Sequence, residues 1–325
     1  MRVTGSAYRR PGARMLIDPS GESVGMVSGG CLENDLQQRA AEVLASERPR
    51  TVVYDMRSPD DIVWGLGLGC DGEVRVLLER IDPQQQPPWM QFAALLRRER
   101  RYGAVATLCE EGPLGPLGQR WWMDEAGEGE LIDEVAPSLR EALQAGHSCA
   151  AQWGESSGFI ERIQPAVSLV IFGAGNDAEP LVQQARALDW QVRCFDQREE
   201  TPVKAEHLDY RTFDVDALAL DRRSAVVLMT HHFLHDQTLL ERLAEQPLGF
   251  LGLLGPRRRK EKMLESLSLS SAALETLHAP VGLDIGSETP QEIALSILSE
   301  IQARLAGRDG GSLRLRDAPL HDWPR

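Results

Sequence analysis

Cys31 follows Gly25-Met26-Val27-Ser28-Gly29-Gly30, where an apolar run gives way to a helical pattern beginning at Leu32 and continuing to about Ala45. A thiol in that place sits on a glycine-rich turn at the mouth of a helix. Unpaired backbone N–H groups and the helix dipole there favour an anion, a thiolate included. Gly29 and Gly30 let a bulky ligand come close to the main chain. Glu33 and Asp35 put negative charge in the first turn, which suits the helix but opposes an anion at the cysteine. A second loop, Trp64-Gly65-Leu66-Gly67-Leu68-Gly69-Cys70-Asp71-Gly72, also ends in a cysteine. Two such loops in one small domain could face each other and hold a ligand through backbone and sulfur. Cys31 and Cys70 alone make a poor zinc site, because a structural site takes four ligands. A disulfide between them, or a plain tight turn in which Cys31 fills a hole, are the other readings.

Arginine supplies the next candidates. Gly5-Ser6-Ala7-Tyr8-Arg9-Arg10-Pro11-Gly12-Ala13-Arg14 sets three guanidinium groups among small residues just before a strand. Planar forks of donors such as Arg9 and Arg14 suit a phosphate or another anion, and the plainer alternative is a solvated surface loop. Further along, the apolar strand Val167–Phe172 runs into Gly173-Ala174-Gly175-Asn176-Asp177-Ala178, then a helical pattern Glu179–Leu188 and a strand Gln191–Phe195 ending at Asp196. This strand, Gly-x-Gly-x-x-Ala, helix, strand, Asp order is that of a dinucleotide-type βαβ unit. Gly173 permits the tight turn, Gly175 lets a phosphate reach the helix N-terminus, and Asp196 stands where an acid meets a ribose diol. Arg198 is unusual for an NAD site and could take a phosphate instead. Strands are expected at Ala225–Met229, Phe250–Leu254 and Val281–Asp284, each followed by polar groups: His231 and His232, the basic run from Arg257 to Lys260, and Asp284. Ligands bind beyond the carboxyl ends of such strands, which makes His231 and Arg257 candidates as well.

The elements that must position these residues form an α/β protein of two domains. Residues 1–160 read as an N-terminal α/β domain and 165–306 as a C-terminal Rossmann-like domain with a parallel sheet, followed by a flexible tail over 307–325. Met15–Ile17 and Ser23–Val27 flank a hairpin turn, and strands follow at Thr51–Tyr54 and Glu73–Glu79. Residues 83–165 read as scaffold, with a helix over Phe92–Arg101, strands at Ala104–Glu110 and Gln119–Asp124, and a helix over Pro137–Gly146. Cys109 and Cys149 fall there as core residues. Thr289-Pro290-Gln291-Glu292 is a capping box opening a helix to about Leu305. Forty-nine acidic against 35 basic residues argue against nucleic acid or an anionic membrane as partner. No apolar run approaches the roughly 20 residues of a membrane helix. Five cysteines without a Cys-x-x-Cys pair do not make a disulfide framework, which points to the cytoplasm.

Gly5 to Met15, Ser28-Gly29-Gly30-Cys31-Leu32-Glu33, Gly65 to Cys70, Phe172-Gly173-Ala174-Gly175, Met229-Thr230-His231-His232 and Pro280 to Ala294 together resemble the XdhC/CoxI family, across nearly the whole chain and in order. Members are accessory factors for molybdenum hydroxylases such as xanthine dehydrogenase. The resemblance implies a chaperone that holds the molybdenum cofactor, a molybdopterin, while a cysteine desulfurase exchanges an oxo for a sulfido ligand and the apo-enzyme awaits insertion. It makes Cys31 the leading cofactor contact, close to the molybdenum, and Cys70 the second; a thiolate is a soft ligand suited to that metal. It also implies pairing into a homodimer. Relatives carry a helix and a strand before the Gly-Ser motif, so this sequence reads as starting inside the first domain. Asp71 stands where many relatives have Gly, and Pro256 where a Ser is common. The competing reading is an NAD(P)-dependent oxidoreductase using the second domain, although no Tyr-x-x-x-Lys pair or similar hydride-transfer constellation follows the glycine loop.

Overall fold

The first three strands are short because turn residues interrupt every apolar run near the N-terminus. In the computed structural model, which describes residues 2–5, 9–55 and 72–317, β1 (Arg2–Gly5) is followed by the hairpin β2 (Met15–Ile17) and β3 (Ser23–Gly25). The hairpin turn is closed by the Asp18 carboxylate, which accepts from the Ser20 and Glu22 N–H groups at 2.8 and 2.9 Å. Helix α1 (Glu33–Ser46) then leads to β4 (Arg50–Asp55) and β5 (Gly72–Leu78). The antiparallel order β1-β5-β4 gives a three-stranded sheet. Its apolar face buries Val52, Tyr54 and Val74 against Leu32 and Leu36 of the α1 corner.

Helix α2 (Pro88–Glu99), β6 (Gly103–Leu108), β7 (Arg120–Asp124), β8 (Gly129–Glu130), α3 (Ala136–Ala145), β9 (Cys149–Trp153) and β10 (Ser156–Ile163) complete the unit Met1–Pro165. They form an antiparallel sheet in the order β8-β7-β6-β10-β9. Helix α3 covers one face through Leu139 and Ala142. Helix α2 covers part of the other through Leu96, which packs on Val105 and Ile163. The hairpin β9–β10 was not expected from the sequence. Cys109 lies just past the end of β6, and it and Cys149 are only half-buried.

The second unit, Ala166–Arg325, holds β11 (Ser168–Phe172), α4 (Ala178–Ala187), β12 (Gln191–Asp196), β13 (Glu206–His207), β14 (Ser224–Leu228), α5 (Phe233–Leu243), β15 (Phe250–Leu253), α6 (Arg257–Leu264), α7 (Ser271–Thr276), β16 (Leu277–His278) and α8 (Pro290–Leu305). The sheet is parallel throughout, in the order β13-β12-β11-β14-β15-β16. Continuous apolar runs such as Val170-Ile171-Phe172 and Ala225–Leu228 fit a sheet buried on both sides. Helices α4 and α8 cover one face and α5, α6 and α7 the other. The Thr289–Glu292 capping box forms, and Ile297 and Ile301 are fully buried, worth about 2 kcal/mol each.

One strand expectation fails. Val281–Asp284 is not a strand; the sheet's edge is β16, four residues earlier. Pro280 has no N–H for a ladder and Gly282 adopts a φ of +112°, so the chain leaves the sheet after His278. Among the described residues, no helix is long and apolar enough to cross a membrane.

Candidate functional site

In the turn that leads into α1, five backbone donors are already taken. The Ser28 hydroxyl accepts from the N–H groups of Gly30, Cys31 and Leu32 at 3.1–3.2 Å. Glu33 folds back so that its carboxylate accepts from Val27 and Ser28 N–H at 3.1 and 2.8 Å, from Leu32 N–H at 3.2 Å, and from the Ser28 hydroxyl. Burial pushes the Glu33 carboxyl up, but the bonds from Ser28 outweigh it and hold it below the usual carboxylate range. The expectation of unpaired amides awaiting an anion is therefore narrowed: around Cys31 the Ser28 hydroxyl and the Glu33 carboxylate already accept from five of them. The spacing of five residues from Ser28 to Glu33 is not that of a capping box, so the sequence gives no local signal for it.

What the turn leaves for a guest is sulfur. Cys31 is a free, half-buried thiol resting on the cluster of Leu32, Leu36 and Val52. Gly29 and Gly30 are exposed beside it. Gly30 has a φ of +108° with nothing within 4 Å of where a Cβ would stand, so glycine is needed for its backbone and leaves open space. Cys70 lies outside the described residues, as does the loop that leads to it.

Arg9 and Arg14 both line a cavity of about 690 Å³ within the first unit. Arg14 makes an ion pair with Glu161 of β10 and stands 5.1 Å over the Trp89 ring, while Arg9 is exposed. Arg120 lies 4.4 Å over the same ring and pairs with Glu79. Burial raises the Glu161 carboxyl pKa despite the two neighbouring guanidinium groups. Residues 83–165 are thus more than scaffold, because Trp89, Phe159 and Glu161 share this cavity with the N-terminal arginines. Nothing local could have revealed it: Arg14 and Glu161 are 147 residues apart.

In the second unit, the carboxyl end of the sheet gathers Gly173, Gly175, Asp196, Arg198 and His231. Gly173 has a φ of +109°, and a Cβ there would run into the Met229 carbonyl, so the corner admits only glycine. Buried Asp196 accepts from Ala174 N–H at 2.9 Å and holds the Arg198 fork at 3.0 and 2.7 Å. Burial alone would raise its pKa, but these donors lower it to about 2. The Asp177 carboxylate leans over the loop, with one oxygen 2.7 Å from where a Gly175 Cβ would be and the other 2.7 Å from His231 Nε2. His231 itself has a φ of +61°. Both usual dinucleotide contacts are therefore filled from within. Arg198 covers the acid meant for a ribose, and a carboxylate stands where a diphosphate would come. Arg257 joins none of this; it is 84% exposed and meets only Glu261 of its own helix at 3.2 Å among the described residues. Arg259 instead turns inward to buried Asp236 at 2.6 Å, and Thr230 donates to the same carboxylate. Burial raises the Asp236 pKa against those two partners.

Comparison with known proteins gives two family matches: the XdhC and CoxI family over residues 1–55 and the XdhC Rossmann domain over residues 169–301. The chain is 32% identical to a Bacillus subtilis protein named as a probable xanthine dehydrogenase subunit, covering 93% of this chain and 90% of that one. It is 27% identical to the Escherichia coli molybdenum cofactor insertion chaperone PaoD, over 93% of this chain and 80% of the relative. A Bacillus halodurans protein, whose crystal structure is described as that of a xanthine dehydrogenase, superposes with a TM-score of 0.77 at 30% identity, covering 96% and 92% of the two chains.

Proposed function

Because the chain belongs to the XdhC and CoxI family, we propose that it is an accessory protein of a xanthine dehydrogenase-type molybdenum hydroxylase, one that carries the molybdenum cofactor and performs no turnover of its own. The observation that carries this reading is the Cys31 corner. The amides of Gly30, Cys31 and Leu32 are already met by Ser28, so on this reading the half-buried sulfur is the group the corner offers a guest. Thiolate sulfur is a soft donor, matched to molybdenum better than the carboxylates around it. The chaperone name of the Escherichia coli relative points the same way. On this reading the cargo is held in the cytoplasm while a cysteine desulfurase supplies its sulfido ligand, and it then passes to the apo-hydroxylase. NAD(P) is not the reading taken, because Asp177 and Arg198 would both have to be displaced before a dinucleotide could bind in the usual manner.

The test is retention. Purified full chain is incubated with molybdenum cofactor and, separately, with NAD(H), then passed through gel filtration with bound metal, pterin and nicotinamide measured. The expected result is co-elution of molybdenum and pterin, with Cys31→Ala lowering retention about tenfold, equivalent to about 1.4 kcal/mol. Retention of nicotinamide alone, or full retention by Cys31→Ala, sinks the reading or removes Cys31 from it.

A further inference from the structure

The cavity beside Arg14 has the make-up of a small-molecule site. Helix α2 covers only part of its sheet face. Beyond it Arg120, Thr107 and Phe159 lie in one row across β7, β6 and β10, with Glu161 two residues further along β10. Across the space stand apolar residues of α1 and β5, among them Val43 and Val76, and the loop carrying Arg9 and Arg14 borders it. About 690 Å³ lies within the usual range for ligand pockets. Arginines and the carboxylates Asp18, Glu47 and Glu79 also line the cavity, and Glu161 is the carboxylate on the β10 wall, two residues from Phe159. Its side chain is 22% exposed, and Arg14 reaches its Oε2 atom. Among the described residues no protein donor meets Oε1. The arginine that holds it is itself 53% exposed.

A carboxylate set in an apolar wall beside aromatic rings is complementary to a flat ring with two adjacent N–H donors on one edge, the same donor pattern that a guanidinium presents. We propose that Glu161 recognises the 2-amino-4-oxopyrimidine edge of a fused heteroaromatic ring, the head of a pterin or a guanine, and that Arg14 holds its place until the ring arrives. The ring N–H beside the 2-amino group (N3–H in a pterin, N1–H in guanine) and the 2-amino group bond the two carboxylate oxygens, with Phe159 and Trp89 close by. Displaced, Arg14 swings clear of Glu161 and leaves Arg9 and Arg10 at the border of the cavity to meet an anionic substituent such as a phosphate. The pterin assignment rests on the cofactor-carrier reading; the recognition chemistry does not.

The experiment titrates the full chain with pterin-6-carboxylate, followed by the intrinsic pterin fluorescence, and with GMP by calorimetry. Glu161→Gln places a donor where an acceptor is needed and is expected to weaken pterin binding at least tenfold. Arg14→Ala removes the internal competitor and is expected to tighten binding severalfold, a gain that a misfolded variant could not produce. Circular dichroism and a thermal melt accompany each variant. Pterin preferred over GMP identifies the cargo's own ring; GMP preferred identifies a guanine nucleotide on the same edge. No binding of either ring, unchanged binding in Glu161→Gln, or equal weakening by both variants overturns the proposal. Wild type that binds pterin through Glu161 yet retains no molybdenum cofactor sinks the carrier reading alone. Cofactor retained equally by wild type and Glu161→Gln sinks this site alone.

Discussion

The corners at 28–33 and 173–178 are built alike and used differently. Each runs from an apolar strand or loop through glycines into a helix, and each answers its exposed amides with carboxylates of the chain itself. At the first corner the answer is local. Ser28 and Glu33 close on five backbone N–H groups and leave Cys31 beside empty space. At the second the answer comes from distant strands: Asp196 of β12 takes the Ala174 amide, His231 holds Asp177 over Gly175, and Met229 presses on Gly173. One corner is closed underneath and open in front; the other is packed at Gly173 and Ala174 and covered at Gly175 by a partly exposed Asp177–His231 pair. A glycine motif therefore says where a chain turns, and the side chains around it decide whether a guest can use the turn.

Substitution at the glycines gives the sharpest contrast. Gly173→Ala must place a Cβ into the Met229 carbonyl at a positive φ, and is expected to cost more than about 3 kcal/mol or to prevent folding of the second unit. Gly30→Ala meets no neighbour and carries only its conformational penalty, about 1 kcal/mol. Urea unfolding of the full chain, followed by tryptophan fluorescence, separates the two; equal losses would erase the distinction between the corners.

Charge gives the next difference. The folded pKa of Asp196 lies near 2, below its unfolded value of about 4, so its stabilising share is present above pH 4 and lost as pH falls from about 4 towards 2. That share is about 2 kcal/mol. Asp196→Asn should remove this part of the acid dependence, seen as melting temperatures that converge with wild type at low pH. Parallel curves would show that the Arg198 fork and Ala174 amide do not set the titration. An effect as small as that of Gly30→Ala is expected at the first corner, where Ser28→Ala strands the Gly30 and Cys31 amides and costs about 1 kcal/mol. Hydrogen exchange at those two amides should quicken; unchanged exchange would mean that Ser28 does not hold the turn.

Much of the architecture was legible because its signals are local. Gly173 and Gly175 after an apolar strand, Asp196 at the end of the next one, and the Thr289–Glu292 box each fix an element from a few neighbouring residues. Where the outcome depended on residues far apart, the sequence was silent. Glu161 gained its meaning only when folding brought Arg14 and Trp89 to it. The arginines at 9 and 14 were readable as anion binders from their spacing, but not the ion pair that occupies Arg14, and Arg259 rather than Arg257 proved to be the member of the basic run that turns into the fold.

Ser28 and Glu33 bear on more than the shape of one turn. With the loop's amides tied down at folding, its backbone has little conformational freedom left to lose when something binds to Cys31. On the proposed carrier role, arrival is favoured by a thiol whose address does not wander, and departure demands no rebuilding of the loop left behind. A cradle of that sort can be emptied as readily as it is filled.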